Sequence, residues 1–329
     1  MKANQRRFSR RTFLQAGATI AGLGAIDRAQ AQTAKTVQTP VLEIAYEESG
    51  EGFPVILLHG FPDDVRAFDE VGPPLVKAGY RVLVPYLRGY GPTRFRDANA
   101  PRMAEQAAIG RDVIDFADAL RLPRFAVSGY DWGGRAAAIA AALHPDRVRA
   151  AVLIGGYTIQ NTVSPSQPGP PEAERAAWYQ WYFNTERGRL GLAMNRRPLC
   201  KLLWQTWSPT WHFSDETYSR TAASFDNPDF VDVVIHSYRH RIGNAPGESR
   251  FVAVEQQLAR RPKIQAPSIL LYGGDDGLAR PGPEASPAER SVFPALVARR
   301  VIAGAGHFLP RENPAAVSAA LLEVLKSAA

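Results

Sequence analysis

"RFAVSGYDWGGRAAAIAAAL", residues 124–143, decides the architecture of this chain. An apolar run ends at Gly129, and an Ala-rich run with helix-forming composition starts at Trp132. Between them lies a small-x-acid-x-small pattern, Gly129-Tyr130-Asp131-Trp132-Gly133. A strand that passes directly into a helix leaves no room for side chains beside the turn, so glycine is needed on both sides. Asp131 then stands at the top of the strand, in a strained conformation at the helix N-terminus. Ser128 does not fit as the centre, because Tyr130 would occupy a position that must be small.

The same reading extends outward. "PVILLHG" (54–60), "YRVLVPY" (80–86), "RAAVLIGG" (149–156), "PSILLYGG" (267–274) and "ARRVIAGAG" (298–306) are short runs rich in Val, Ile and Leu, closed by glycine or a polar turn. Runs apolar on both faces fit strands of a parallel sheet covered on each side. Segments of helical period separate them; in 103–122, Ile109, Val113, Phe116 and Leu120 fall on one face. Alternating strands and helices predict an α/β fold, a mostly parallel sheet with helices on both faces. Residues 158–262 break the rhythm. They contain no such strand run but hold five of the six Trp and helix-like patches at 171–183 and 227–241. Two strand-like runs follow them, so they predict a helical cap inserted into one sheet domain made of 32–157 and 263–329.

Residues 1–31 predict a cleaved twin-arginine export signal. Arg10 and Arg11 precede Phe13 and Leu14, a mild apolar run ends near Ile26, and Ala29-Gln30-Ala31 is a cleavage site. The run is short of the ~20 apolar residues that span a bilayer, so no stable membrane insertion is expected after cleavage. The expected location is the periplasm. The chain's net charge of +7 falls to +2 without this segment, with 33 basic and 31 acidic residues left. A nearly neutral protein offers no argument for nucleic acid or anionic membranes as partners. Cys200 is the only cysteine and cannot form an internal disulfide; beside Leu199 it reads as a buried apolar residue.

A carboxylate nucleophile attacks saturated carbon and forms an alkyl ester, which a second step must hydrolyse. Asp131 therefore points to an epoxide or carbon–halogen substrate, small and apolar. His307 in "GAGHFLP" (304–310), just beyond the last strand, is the candidate base for the water. "LYGGDDG" (271–277) offers Asp275 and Asp276 to orient it. The backbone N–H groups of Phe61 in "HGFP" (59–62) and of Trp132 are the candidate oxyanion hole. His59 reads as a buttress of that loop. His236 and His240 are four apart, but no third ligand completes a metal motif, and neither metal nor cofactor is expected.

"HGFPDD" (59–64), "LRGYG" (87–91), "GYDWGG" (129–134), "GGDDG" and "GAGH" together resemble the α/β-hydrolases of the epoxide hydrolase and haloalkane dehalogenase group, over nearly all of 41–329. One departure is Tyr86, where that group often has Asp. The resemblance implies Asp276, at the spacing Gly-x-x-Asp from Gly273, as the triad acid; Asp275 would then stabilise the turn. "WYQWYF" (178–183) resembles the cap motif of epoxide hydrolases and implies Tyr179 as a proton donor to the epoxide oxygen. The second donor should come from "IHSYRHR" (235–241): Tyr238, with His236 in reserve. Phe61, Trp132 and Trp181 are the expected substrate-binding aromatics. The tyrosines favour an epoxide. Trp132 after the nucleophile keeps a haloalkane or haloacid open, since haloalkane dehalogenases often bind halide with such a Trp. A non-catalytic binding protein of the same fold is the alternative from another class, and the joint presence of nucleophile, acid and base argues against it.

Overall fold

The computed structural model describes residues 34–164 and 167–327. The expected export signal lies outside the described residues. Thr33–Ala329 forms one compact unit. Its first half contains β1 (Lys35–Gln38), β2 (Leu42–Ser49), β3 (Phe53–Leu58), α1 (Gly72–Lys77), β4 (Tyr80–Pro85), β5 (Arg94–Phe95), α2 (Gln106–Ala119), β6 (Phe125–Tyr130), α3 (Asp131–Leu143) and β7 (Val148–Ile154). Six helices follow: α4 (Pro171–Ala176), α5 (Trp178–Phe183), α6 (Glu186–Trp207), α7 (Asp215–Ala222), α8 (Phe230–His240) and α9 (Val252–Ala259). The chain then returns through β8 (Ser268–Gly273), α10 (Pro287–Val292), β9 (Leu296–Ile302), α11 (Leu309–Glu312) and α12 (Pro314–Ser327).

The strands form one sheet in the order β1-β2-β4-β3-β6-β7-β8-β9, with β5 beside β2. The run from β4 to β9 is parallel; β1, β2 and β5 join antiparallel. Every residue of the central strand β6 is buried, as expected of a strand covered on both faces. One layer pairs α2 with α3, and the other pairs α1 with α12. Helix α3 lies against β3, β6 and β7, and alanine lets it do so. Ala136, Ala137, Ala138, Ala140 and Ala141 are all fully buried, with no bulk to hold the helix off the sheet.

Among the described residues no strand lies between β7 and β8; the connection carries α4–α9. Several features shape this insertion. Thr185 caps α6 by accepting from the Gly188 N–H at 2.9 Å, and Ser214 caps α7 by accepting from the Thr217 N–H at 3.1 Å. Pro198 sits inside α6, where its ring crowds the preceding turn, and the helix kinks at Asn195. The second half of α6 buries Leu203, Trp204 and Trp207.

In a parallel sheet all strand C-termini reach the same edge. Phe61, Asp131, Asp276 and His307 follow the C-terminal ends of β3, β6, β8 and β9 in turn, Asp131 as the first residue of α3. The topology alone therefore brings four distant sequence positions to one crevice.

Candidate active site

The turn from β6 into α3 explains how Asp131 is presented. A side chain on Gly129 would strike the Gly133 carbonyl, and one on Gly133 would strike the carbonyls of Leu58 and His59. Asp131 itself has φ +50°, a left-handed conformation that costs a non-glycine residue roughly 1–2 kcal/mol. The carboxylate lies at the N-terminus of α3, where the helix dipole favours negative charge. Its Oδ1 accepts a hydrogen bond from the Phe61 backbone N–H at 2.8 Å.

His307 stands on the other side of this carboxylate. Its Nδ1 lies 2.9 Å from Oδ2 of Asp276, whose Oδ1 accepts from the N–H groups of Leu278 (2.7 Å) and Ala279 (3.0 Å). An ionised Asp276 can only accept, so Nδ1 carries the proton and Nε2 the lone pair. Nε2 is buried, has no partner, and lies 3.8 Å from Asp131 Oδ2. That separation is beyond a direct hydrogen bond. Burial works against protonation of His307, but the charge and hydrogen bond of Asp276, with the charge of Asp131, outweigh it and raise its pKa. Of the two sequence candidates it is Asp276 that touches His307; the Asp275 N–H donates to the Ala305 carbonyl in the turn.

Aromatic rings gather around Phe61, whose N–H holds the carboxylate. The Phe61 ring lies within 5.5–6.4 Å, centroid to centroid, of Trp132, Tyr179, Phe183, Trp207, Phe230 and Tyr238. Tyr179 and Tyr238 are each 1% exposed and meet edge to face at 5.3 Å. Burial, followed by the charge of Asp131, pushes Tyr179 up to about 12. Burial, then Tyr179 and Asp131, raises Tyr238 well above its ordinary value. Both phenols therefore stay protonated near neutral pH. The Tyr238 hydroxyl has no partner, and neither do the indole N–H groups of Trp132 and Trp207. Hydrophobic walls with a few convergent polar atoms are what a small-molecule site requires.

Two expected site residues lie elsewhere. Trp181 is 44% exposed and its indole N–H donates to Glu174, because α5 turns that residue outward while it turns Tyr179 inward. The reserve donor His236 uses both ring nitrogens in the scaffold: Nδ1 accepts from the Ala104 N–H and Nε2 meets the Pro246 carbonyl. His59 is a buttress, accepting from the Leu87 N–H at Nε2 and facing the Gly60 carbonyl with Nδ1; burial lowers its pKa to about 4. Cys200 is fully buried and burial raises its thiol pKa. The side chains of the described residues contain no cluster of three or more His, Cys, Asp or Glu that could hold a metal.

Other parts of the site carry no local sequence signal. Trp207, at the end of α6, packs 5.0 Å from the His307 ring. Its carbonyl accepts from the N–H groups of both Gly277 and His307, bridging the acid loop and the histidine loop. Glu312 accepts from the N–H groups of Gly306 and Phe308 and from the Ser208 hydroxyl, gripping the backbone on both sides of His307. Arg311 binds Asp63, Asp64 and Thr221, and Asp63 also accepts from the Tyr130 hydroxyl next to the elbow. Apart from the bonds of Glu312 to Gly306 and Phe308, these contacts join residues far apart in the sequence, from 67 positions for Tyr130 and Asp63 to 248 for Arg311 and Asp63, and only the folded chain displays them.

The "alpha/beta hydrolase fold" family matches residues 54–314. A crystal structure of a candidate epoxide hydrolase from Klebsiella pneumoniae is 40% identical, covers 89% of this chain and 97% of its own, and superposes with a TM-score of 0.86. An epoxide hydrolase of Caballeronia sordidicola is 25% identical over 323 residues, 88% of this chain and 93% of its own length. Epoxide hydrolase A of Mycobacterium tuberculosis is 27% identical over 332 residues, 90% and 98% of the two chains. With its mostly parallel sheet flanked by helices and its catalytic-type residues on the C-terminal edge, this chain belongs to the alpha/beta hydrolase fold family and is a hydrolase.

Proposed function

We propose that the chain is an epoxide hydrolase that turns an epoxide and water into a vicinal diol through an ester on Asp131. The observation that carries this reading is the Tyr238 hydroxyl, buried and unpartnered beside Tyr179 among the aromatics around Phe61. An epoxide leaves as an alkoxide, and two protonated phenols are suited to receive it.

In the first step Asp131 Oδ2 attacks an epoxide carbon, the C–O bond breaks, and the oxygen takes a proton from a tyrosine. Oδ1, held on the Phe61 N–H, becomes the ester carbonyl oxygen. In the second step His307 Nε2 removes a proton from water, whose oxygen attacks the ester carbon. The N–H groups of Phe61 and Trp132 stabilise the oxyanion. Collapse releases the diol and restores Asp131, and the imidazolium returns its proton to the tyrosinate. Asp276 holds the tautomer and stabilises the imidazolium.

His307→Gln should stall after the first step, leaving an adduct on Asp131 visible as added mass on the intact protein. Asp131→Ala should show none. A single turnover of the parent protein in H₂¹⁸O should leave label in the Asp131 carboxylate. Label confined to the product, with no adduct on the His307 variant, would mean direct attack by water and would sink the ester mechanism.

The indole N–H groups of Trp132 and Trp207, both buried and unpartnered, favour a second reading, since such donors suit a departing halide. Halide release from a haloalkane or haloacid, with no diol from any epoxide, would put that reading first. The export route read from residues 1–31 belongs to the same proposal and places the reaction outside the cytoplasm.

A further inference from the structure

Tyr179 and Tyr238 meet edge to face at 5.3 Å, but the surroundings of their hydroxyls differ. Gln180 Nε2 donates to the Tyr179 hydroxyl oxygen at 3.1 Å, whereas the Tyr238 hydroxyl has no partner. Gln180 follows Tyr179 in α5 and is half-buried. Its backbone is fixed at both ends: the N–H donates to the Ala177 carbonyl at 2.9 Å, and the carbonyl accepts from Asn184 Nδ2 at 2.8 Å. The same Asn184 nitrogen donates to the Tyr238 carbonyl at 3.2 Å, so one side-chain amide ties together the helices that carry the two phenols. The Tyr179 ring is held by Trp207 at 4.9 Å and Phe183 at 6.0 Å.

An amide N–H can only donate. A phenol oxygen that accepts from it keeps its own O–H for another acceptor, and among the described residues none takes that proton. The bond also strengthens as the proton leaves, because a charged acceptor makes a hydrogen bond roughly twice as strong as a neutral one. An interaction that is stronger after proton transfer than before it favours the transfer. Burial and the charge of Asp131 push Tyr179 up to about 12, with Arg241 and the bond from Gln180 acting the other way. On Tyr238, burial and then the charges of Tyr179 and Asp131 hold the proton in place against the pull of Arg241. Ionisation of Tyr179 therefore keeps Tyr238 neutral.

We propose that Gln180 is a positioning residue that makes Tyr179 the phenol that gives up its proton and leaves Tyr238 to donate a hydrogen bond only. This rests on the epoxide hydrolase reading. In the first step the epoxide C–O bond breaks, the departing oxygen takes the Tyr179 proton, and the charge left on the Tyr179 oxygen is held by the Gln180 N–H. Tyr238 bonds to the same departing oxygen and keeps its proton. In the second step the proton that His307 takes from water restores the Tyr179 hydroxyl.

The test removes the donor at nearly constant size. In a His307→Gln background, where the ester accumulates, Gln180→Met should slow ester formation from styrene oxide roughly 10- to 100-fold, the scale of a lost hydrogen bond to a charged group. Added to Tyr179→Phe the same change should cost nothing further, and added to Tyr238→Phe it should cost its full factor. Gln180→Glu should be slower than Gln180→Met, because a carboxylate accepts where a donor is needed and its charge opposes the tyrosinate. A second readout needs no turnover. With 3-fluorotyrosine incorporated to bring the phenols into a lower pH range, the ¹⁹F resonance of position 179, identified by its loss in Tyr179→Phe, should titrate at a pH roughly 1–2 higher in Gln180→Met than in the parent. A loss that is undiminished in Tyr179→Phe, a loss that vanishes in Tyr238→Phe, or a ¹⁹F titration that does not move would each overturn the proposal and make Gln180 a packing residue of α5. If no epoxide alkylates Asp131 but the titration of Tyr179 moves as expected, the role of Gln180 toward Tyr179 stands and the epoxide reading falls.

Discussion

His307 holds its proton more tightly than a free imidazole because Asp276 and Asp131 outweigh the effect of burial. The proposed second step needs His307 neutral. Turnover should therefore fall as the pH drops through the His307 pKa, which Asp276 continues to hold up in the ester after Asp131 has lost its charge. Asp276→Asn removes the larger charge that raises it, so the acid limb of the kcat profile should move to lower pH. At the same time kcat should drop roughly 10²- to 10⁴-fold, since the neutral amide neither fixes the tautomer nor stabilises the imidazolium. A pH–rate series on both proteins reads the two effects separately. An acid limb that stays in place while kcat falls would mean that another group sets it. The residue scale also marks what a sequence can disclose. Asp131 and His307 announce themselves because tight turns force glycine around them, and glycine is visible in the sequence. Trp181 misled because α5 is too short for its inward face to be read from spacing.

At the scale of elements, the parallel strands were legible and the antiparallel margin was not. β3, β4, β6 and β7 each hold a run of buried apolar residues, in β4 and β7 after a single Arg, whereas β2, "LEIAYEES", carries Glu43, Glu47 and Glu48 and lies near the sheet margin, where a strand can stay partly solvated. The elements that hold the histidine loop were equally silent. α11 is a four-residue helix, yet its Glu312 satisfies the N–H groups of Gly306 and Phe308 and binds Ser208 at the end of α6. Glu312→Ala would leave the Gly306 N–H unsatisfied and the Phe308 N–H on the Ser208 hydroxyl alone, at 3.2 Å, and would loosen the loop. A displacement of about 1 Å in a reacting group can cost on the order of 10²-fold. In the proposed mechanism His307 acts only on the ester, so the loss should fall on that step: rapid-quench mass spectrometry should find more of the adduct in this variant than in the parent, with alkylation nearly as fast. Alkylation slowed as much as hydrolysis would instead mean that Glu312 supports the whole site.

Across the whole molecule, one buried network connects the parts that the reaction needs in register. Asp63 and Asp64 follow the Phe61 loop, Tyr130 precedes Asp131, Arg311 follows His307, and Thr221 and Ser224 belong to the helical insertion. Arg311 also lies 4.9 Å over the Trp204 ring, whose indole N–H donates to the Pro62 carbonyl. The insertion is thus anchored to the core on the side of Arg311. Arg311→Met would leave two buried carboxylates without their cation, a loss of roughly 3–5 kcal/mol. That loss should depend on pH in a definite direction. Burial already raises Asp64 to about 7, against the pull of Arg311. A carboxyl raised in the folded state favours folding while it is protonated, and that advantage disappears as the pH rises through its folded pKa. Without Arg311 the raised value climbs further, so ionisation at higher pH weighs more heavily on the variant. Denaturant midpoints of the two proteins should therefore diverge between pH 5 and pH 8, with the variant falling further behind at pH 8. A gap that is constant or narrows with pH would show that Arg311 acts through its packing on Trp204 and not as the counter-ion of the aspartates.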